Sequence, residues 1–519
     1  MKIRAARSLS STCAALCLLS LGAGAQIGFD NAVNYPLMQT RPDWAAVGDF
    51  DGSADPDVAV TTGGPQGANA PEWVEIFMNQ GNGTLAAGQT IFMGNQVGVA
   101  AILAEDVDRD GDLDLVVSMK NTGTVRVLFN SGGTFAPGGT VAVGGFEPRH
   151  LASADVDGDG DVDFVASNRA SNDLSVLVND GSGTLSLQGT VSVGLEPRHI
   201  ALEDLNGDCL PDLAIAAHDS RRVEILFNLG GGSFGGGGSY PVPGNNKPSG
   251  MCAVDFDGDG DMDLMTTTDN NNVGQFCPLT NLGDGTFTIT VVPSGGTNPD
   301  AVMAADLDAD GDHDFAAADE SANKVSVLPN LGGGVFGAPQ SFPVGAHPSS
   351  IAGTDLDGNG SIDLVLPNRD SNNFSVLTNA ASGGTQTYCS TSANSVGGGG
   401  LMGSSGTLSI GANLFTLSAR CCPPQQLGLF YYGGGAAHVP FGDGLRCVAG
   451  PFFRLGPPVQ IDAGGSVSRL LDFTSSPADS GPGEILAGST WYFQLWYRDP
   501  DGGFSGFNLT DGLRATFLP

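Results

Sequence analysis

Apolar and polar residues along most of this chain come in short alternating blocks. Between residues 151 and 193 the order is an apolar segment (Leu151-Ala152-Ser153-Ala154), an acidic loop, a second apolar segment (Phe164-Val165-Ala166-Ser167) and a polar turn. A third segment (Leu174 to Val178), a Gly-rich turn (Asn179 to Gly183) and a fourth segment (Leu185 to Val193) follow. Short apolar runs bounded by Gly, Asn, Asp and Ser read as strands joined by tight turns. A helical repeat requires 3.6-residue periodicity and caps, and these segments have neither.

The block recurs. Nine-residue acidic segments begin at Asp49, Asp106, Asp155, Asp204, Asp255, Asp306 and Asp355, and the one long step, from the first to the second, contains an insertion around Gly63 to Pro71. A proline stands seven residues before the first Asp in six of the seven units (Pro42, Pro148, Pro197, Pro248, Pro299 and Pro348), with Val99 the exception. Four short strands per unit of this length are the mark of a propeller blade. The chain therefore reads as all-β: a seven-bladed β-propeller over residues 26–387, followed by a smaller β-sandwich-like domain over 388–519. Phe29 to Pro42 matches the fourth-strand segment that precedes the later prolines, whereas the seventh unit lacks an obvious fourth strand after Asn379. The N-terminal segment is thus expected to complete the last blade and remove the exposed strand edges.

The units resemble FG-GAP or VCBS-type repeats, the family of the integrin α-subunit propellers and of many exported bacterial proteins. Phe336-Gly337-Ala338-Pro339 nearly spells the motif that names the family, and the loops match its Asp-x-Asp-x-Asp-Gly-x-x-Asp pattern over about residues 27 to 387. The resemblance implies a calcium-binding propeller.

The loops support that chemistry residue by residue. In the third loop, Asp155, Asp157 and Asp159 occupy alternate positions that can turn carboxylates to one centre. Gly160 permits the reversal, Asp161 offers its backbone carbonyl and Asp163 closes the shell. Hard oxygen donors in this number suit Ca²⁺, and the absence of His and Cys from the ligand positions argues against transition metals. An EF-hand is the nearest rival, but it needs a Glu at the twelfth position and flanking helices. The second loop (Asp106, Asp108, Asp110, Asp112, Asp114), the fifth (Asp255, Asp257, Asp259, Asp261, Asp263) and the sixth (Asp306, Asp308, Asp310, Asp312, Asp314) carry the full acidic set. The seventh (Asp355, Asp357, Asn359, Ser361, Asp363) keeps oxygen donors throughout. The first (Asp49, Asp51, Ser53, Asp55, Asp57) has Ala54 at the glycine position, and the fourth (Asp204, Asn206, Asp208, Leu210, Asp212) has Cys209 there. Up to seven calcium ions are expected, with loops one and four the weakest sites.

Composition bears on partners. The chain has 56 acidic against 21 basic residues, a formal net charge of −35, which argues against nucleic acid and anionic membrane as partners. Thirty of those acids lie in the seven loops, so the charge is concentrated where cations would neutralise it. Met1 to Ala25 reads as an export signal, with Lys2, Arg4 and Arg7 ahead of an apolar run to Leu21 and small residues Ala23-Gly24-Ala25 at the cleavage point. A secreted or cell-surface location is expected, without membrane insertion. Export permits disulfides among Cys389, Cys421, Cys422 and Cys447, and the odd number of cysteines outside the signal leaves at least one free thiol or an intermolecular pair.

On the face opposite the acidic loops, two segments entering the first strand repeat Glu-Pro-Arg-His, placing Arg149, His150, Arg198 and His199 where an anionic or polar ligand could bind. The competing reading is that these residues record duplication and pair with the neighbouring glutamates. From about Tyr388 the repeat gives way to aromatic strands; Trp491 to Tyr497 should put Trp491, Phe493, Leu495 and Tyr497 on one face, and core packing is expected for its rings. Two function classes follow. The first is a non-enzymatic binding or adhesion protein for an extracellular protein or carbohydrate; the second is an exported carbohydrate-active enzyme, a lyase or hydrolase, that uses the propeller as scaffold.

Overall fold

The computed structural model describes residues 27–64, 70–270, 273–380, 384–389, 394–396, 399–405, 408–500, 502–503 and 505–517. The expected export signal, part of the insertion in the first unit, and Asn271 and Asn272 of the fifth unit lie outside these residues.

Each repeat folds into one antiparallel sheet. In blade three the strands are Pro148–Ala154, Asp163–Asn168, Asp173–Asn179 and Leu185–Ser192, hydrogen-bonded in that order. The described residues form seven such sheets, with the outer strand split in two in blades four and five. Every second strand outside blade five, where two side chains fall outside the description, is buried along its whole length, as in Asp114–Met119 and Asp314–Asp319. These strands are apolar on both faces because each sheet is covered on both sides by its neighbours. The cores accordingly lie between blades. Val165, Leu174 and Val176 of blade three meet Ile200 and Leu213 of blade four, and Val365 and Phe374 of blade seven meet Val58, Val60 and Phe77 of blade one, which closes the ring.

Blade seven takes its outer strand from the other end of the chain. Val33–Pro36 pairs with Asn373–Leu377, from Val33 opposite Val376 to Pro36 opposite Asn373. The rings of Tyr35 and Phe374 stack at 5.1 Å. The phase of the repeat anticipated this pairing.

The C-terminal module is a sandwich. One sheet runs Gly384–Cys389, Gly512–Thr516, Thr490–Arg498, Leu427–Gly433 and Phe453–Arg454, with two short strands beside it; the other is Leu401–Ser405, Thr416–Arg420 and Val467–Leu470. Phe493, Leu495 and Tyr497 enter the shared core with Phe415, Phe430 and Tyr432, and Trp491 packs against its edge. The alternate residues Tyr492 and Trp496 pack with Tyr431, Val448 and Phe507, so both faces of this strand serve packing. The module rests on the face of the propeller that carries the acidic loops. Arg420 pairs with Glu203 at 3.4 Å and Arg514 with Asp355 at 2.6 Å.

Candidate metal centres

Each acidic loop is a reversal between the first and second strands, and its geometry repeats. In loop three the Asp155 carboxylate accepts the amides of Gly158 (2.7 Å) and Gly160 (2.9 Å), while Asp157 accepts the amide of Asp159 at 3.2 Å. These bonds turn the loop back on itself and gather the carboxylates. One oxygen from each of Asp155, Asp157 and Asp163 lies within 4.8 Å of the others, and the same holds for Asp49, Asp51 and Asp57 and for Asp106, Asp108 and Asp114. Positions one, three and nine therefore converge in loop one as they do in the fully acidic loops two and three. The Gly-rich turns between third and fourth strands lie alongside: Gly181 has a left-handed φ of 73°, and a Cβ there would meet the Asp161 carboxylate at 2.6 Å.

The ninth Asp has a second task that its position in the motif did not reveal. In loop three the Asp163 carboxylate accepts the amide of Val156 at 3.1 Å and that of Asn179 at 2.8 Å. The same pair of bonds is made by Asp57, Asp114, Asp212, Asp263, Asp314 and Asp363. The asparagine at or just beyond the end of the third strand then reaches the preceding blade. Asn130 Nδ2 donates to Phe50 O at 2.8 Å, Asn179 to Val107 O at 2.8 Å and Asn228 to Val156 O at 2.9 Å. Asn281, Asn330 and Asn379 continue the series, and Asn79 donates to Leu356 O at 2.7 Å, from blade one back to blade seven. A signal for this was present in the sequence: each of these asparagines opens a Gly-rich turn at a nearly constant distance from its Asp.

The electrostatics show what the loops lack. Burial pushes the Asp57 carboxyl up to about 6 and those of Asp114, Asp163, Asp212, Asp263 and Asp363 up to about 7, with loop carboxylates adding to the shift; Asp314 reaches about 9. Asp106 Oδ1, Asp308 Oδ2 and Asp355 Oδ1 are buried without a hydrogen-bond partner. Buried acceptors without donors, beside like charges, are costly unless a cation supplies the missing interaction. The donor set is all oxygen and carries three or more acids per loop, so it fits Ca²⁺. When bound, such an ion would supply positive charge at the centre of the loop; the first, third and fifth side chains, the seventh backbone carbonyl and the ninth carboxylate would hold it.

Two loops depart from the pattern at the turn. Ala54 and Cys209 take the glycine position with φ of 72° and 64°, a left-handed backbone that costs a side-chain-bearing residue about 1–2 kcal/mol. Loop seven departs differently, because its first ligand position, Asp355, is paired with Arg514 of the C-terminal module.

The FG-GAP-like repeat family model matches residues 49–117, 106–166, 155–214, 204–266 and 306–366, which include all seven acidic loops. The chain belongs to the FG-GAP-like repeat family. No curated protein matches it. Among solved structures, a Lactobacillus plantarum protein is 15% identical with a TM-score of 0.47, over 61% of this chain and 89% of that one. An Agrocybe aegerita lectin that recognises non-reducing terminal N-acetylglucosamine is 22% identical with a TM-score of 0.40, over 58% and 80%. The Pseudomonas aeruginosa periplasmic gluconolactonase is 17% identical with a TM-score of 0.45, over 59% and 86%.

The opposite face of this FG-GAP-like propeller carries the Glu-Pro-Arg-His repeats. Their histidines turn inward: the rings of His150 and His199 stack at 4.5 Å, and Trp44 of blade one lies against both, at 5.1 and 5.2 Å. Burial holds His150 well below the ordinary histidine value and brings His199 down to about 4. Both are therefore neutral rings at pH 7. Arg198 bonds Ser249 at 3.1 Å and pairs with Asp300 (3.2 Å) and Glu196 (3.4 Å). Burial would raise the Asp300 carboxyl, yet Arg198 and Arg149 beside it hold it far below the usual range. Arg169 also pairs with Glu196, at 2.7 Å, and Arg369 bridges Asp43 and Glu320. Arg149 influences the titration of Asp43, His199 and Asp300 but joins none of these ion pairs.

Proposed function

We propose that this chain is a secreted, calcium-binding propeller that acts as a non-enzymatic binding or adhesion protein, at the cell surface or outside the cell, for a protein or carbohydrate ligand. The observation that carries the calcium reading is the convergence of the first, third and ninth carboxylates, the ninth of them buried, in loops whose oxygens include unpartnered acceptors. The binding reading draws on the opposite face. There, arginines and carboxylates contributed by several blades meet near the stacked histidines, and Arg149 stands beside them outside their ion pairs. A rigid ring that presents polar side chains from many loops is suited to recognition.

Calorimetric titration of the purified chain with Ca²⁺, with thermal melts in parallel, tests the metal. Uptake of several ions and a melting temperature raised by Ca²⁺ and lowered by chelator are expected, since a ligand bound only to the folded state stabilises by mass action. No uptake at millimolar Ca²⁺, with identical melts in chelator, would refute the reading. A glycan array followed by product analysis separates the function classes: retention without turnover supports binding, and released fragments point to the lyase or hydrolase alternative.

A further inference from the structure

We infer that Cys209 and Cys421 form a disulfide that fastens the C-terminal module to the acidic face of the propeller. Cys209 stands at the sixth position of loop four, and Cys421 directly follows the strand Thr416–Arg420 of the module. Both are free thiols in the structure, whereas Cys447 is disulfide-bonded. The two sulfurs and an Asp204 oxygen all lie within 4.8 Å of one another. The contact is framed by docked side chains: Arg420, the preceding residue, pairs with Glu203, the residue before loop four. Far around the ring, Arg514 pairs with Asp355, and Thr516 lies where a Cβ on Gly360 would approach it at 2.6 Å. The juxtaposition of the sulfurs therefore belongs to an interface that is anchored at a second point.

Cys421 and Cys422 face opposite ways. Cys422 is fully buried in the module core with its sulfur 3.5 Å from Arg420 O, whereas the Cys421 sulfur is directed at the propeller, 3.8 Å from Asp204 Oδ2. A thiophilic metal such as Zn²⁺ is the alternative use of this cluster, which offers it two sulfurs and one oxygen of Asp204. The Asp204 oxygens also hold the loop, accepting the amides of Gly207 (2.8 Å), Asp208 (3.1 Å) and Cys209 (2.8 Å). Two thiols and one carboxylate do not make the closed set of four protein ligands that a structural zinc site requires.

The bond forms by thiol–disulfide exchange with an external disulfide, either a small-molecule disulfide such as oxidised glutathione or a disulfide carrier protein. One cysteine thiolate attacks a sulfur of the oxidant and expels the first thiolate, giving a mixed disulfide. The second cysteine thiolate then attacks the protein sulfur and expels the other. The pair loses two protons and two electrons, and the oxidant becomes two thiols. The inference leans on export only for the supply of that oxidant, so the test provides it in vitro.

The full chain, purified under reducing conditions, is incubated with oxidised glutathione, alkylated and digested with trypsin without reduction. The expected result is a peptide pair joined through Cys209 and Cys421, two hydrogens lighter than the sum of its parts. The pair should be absent from Cys209→Gly, which restores the loop glycine, and from Cys421→Ser. The oxidised chain should also melt at a higher temperature than the reduced chain, and Cys209→Gly should show no such difference. Alkylation of both cysteines after oxidation, a link from Cys209 to Cys422, or stoichiometric zinc lost on Cys209→Gly would each overturn the proposal.

Discussion

The ninth aspartate is expected to hold the blade together whether or not a cation is present, and comparing it with the third position isolates that role. Asp163→Ala removes the acceptor for two buried amides, Val156 and Asn179. Leaving a buried donor unsatisfied costs about 1–3 kcal/mol, so two cost about 2–6 kcal/mol. Loss of a carboxylate that Asp155 and Asp157 repel offsets part of this, which places the expected net loss in the lower part of that range, about 2–3 kcal/mol. Asp157→Ala removes no such support, because its one bond is to the exposed amide of Asp159. Hydrogen exchange in chelator, read by mass spectrometry on peptides spanning 150 to 180, should show amides of blade three exchanging roughly 30- to 150-fold faster in Asp163→Ala. Asp157→Ala should match the parent there, and should lose only the protection that Ca²⁺ confers on blade three. Equal exchange in the two variants without metal would refute the reasoning, and so would faster exchange spread evenly over all blades.

Other expectations follow from the same geometry. His199 has its proton affinity depressed to about 4 in the folded chain against 6.5 in the unfolded one, so the unfolded state takes up the proton first. The neutral ring therefore costs stability progressively as pH falls from 6.5 to 4, on the order of 3 kcal/mol. His199→Phe, which keeps a ring against His150 and Trp44, should flatten the loss of melting temperature over that window, and parallel profiles would exclude the effect. Removing the chain up to Leu37 should bare the edge of Asn373–Leu377 and produce concentration-dependent association in sedimentation experiments; a monomer at all concentrations would show that the edge is protected by other means. Arg514→Ala frees the first ligand of loop seven and should tighten one calcium site in a calorimetric titration without altering the others; an unchanged isotherm would show that the arginine does not compete there.

The propeller was legible in the sequence because its information is local and repeated. Each loop carries its own turn chemistry, and seven in-phase copies fixed the blade order and the use of Phe29 to Pro42 as the missing strand. The double duty of Asp163 and its equivalents was not legible, since a motif shows which atoms are available and not which amides they meet after the strand folds back. The inward turn of His150 and His199 was hidden for a related reason. Their stack depends on Trp44, which lies more than a hundred residues before either and becomes a neighbour only when the ring closes. The docking of Arg420 and Cys421 on loop four joins segments separated by more than two hundred residues, and no local pattern encodes it.

The asparagine links between blades bear on how such a ring can change in size. Every unit carries one donor, the side-chain amide at or just beyond the end of its third strand, and one acceptor, the carbonyl at the second position of its loop. Donor and acceptor sit at opposite sides of the unit, so each blade is a part with matching male and female ends. A whole unit inserted by duplication would plug into its neighbours and leave no unmatched group, whereas a fragment would leave one donor or one acceptor buried without its mate. The fold is thereby tolerant of gain or loss of complete modules and intolerant of partial ones, a constraint on its evolution that is written in seven amides.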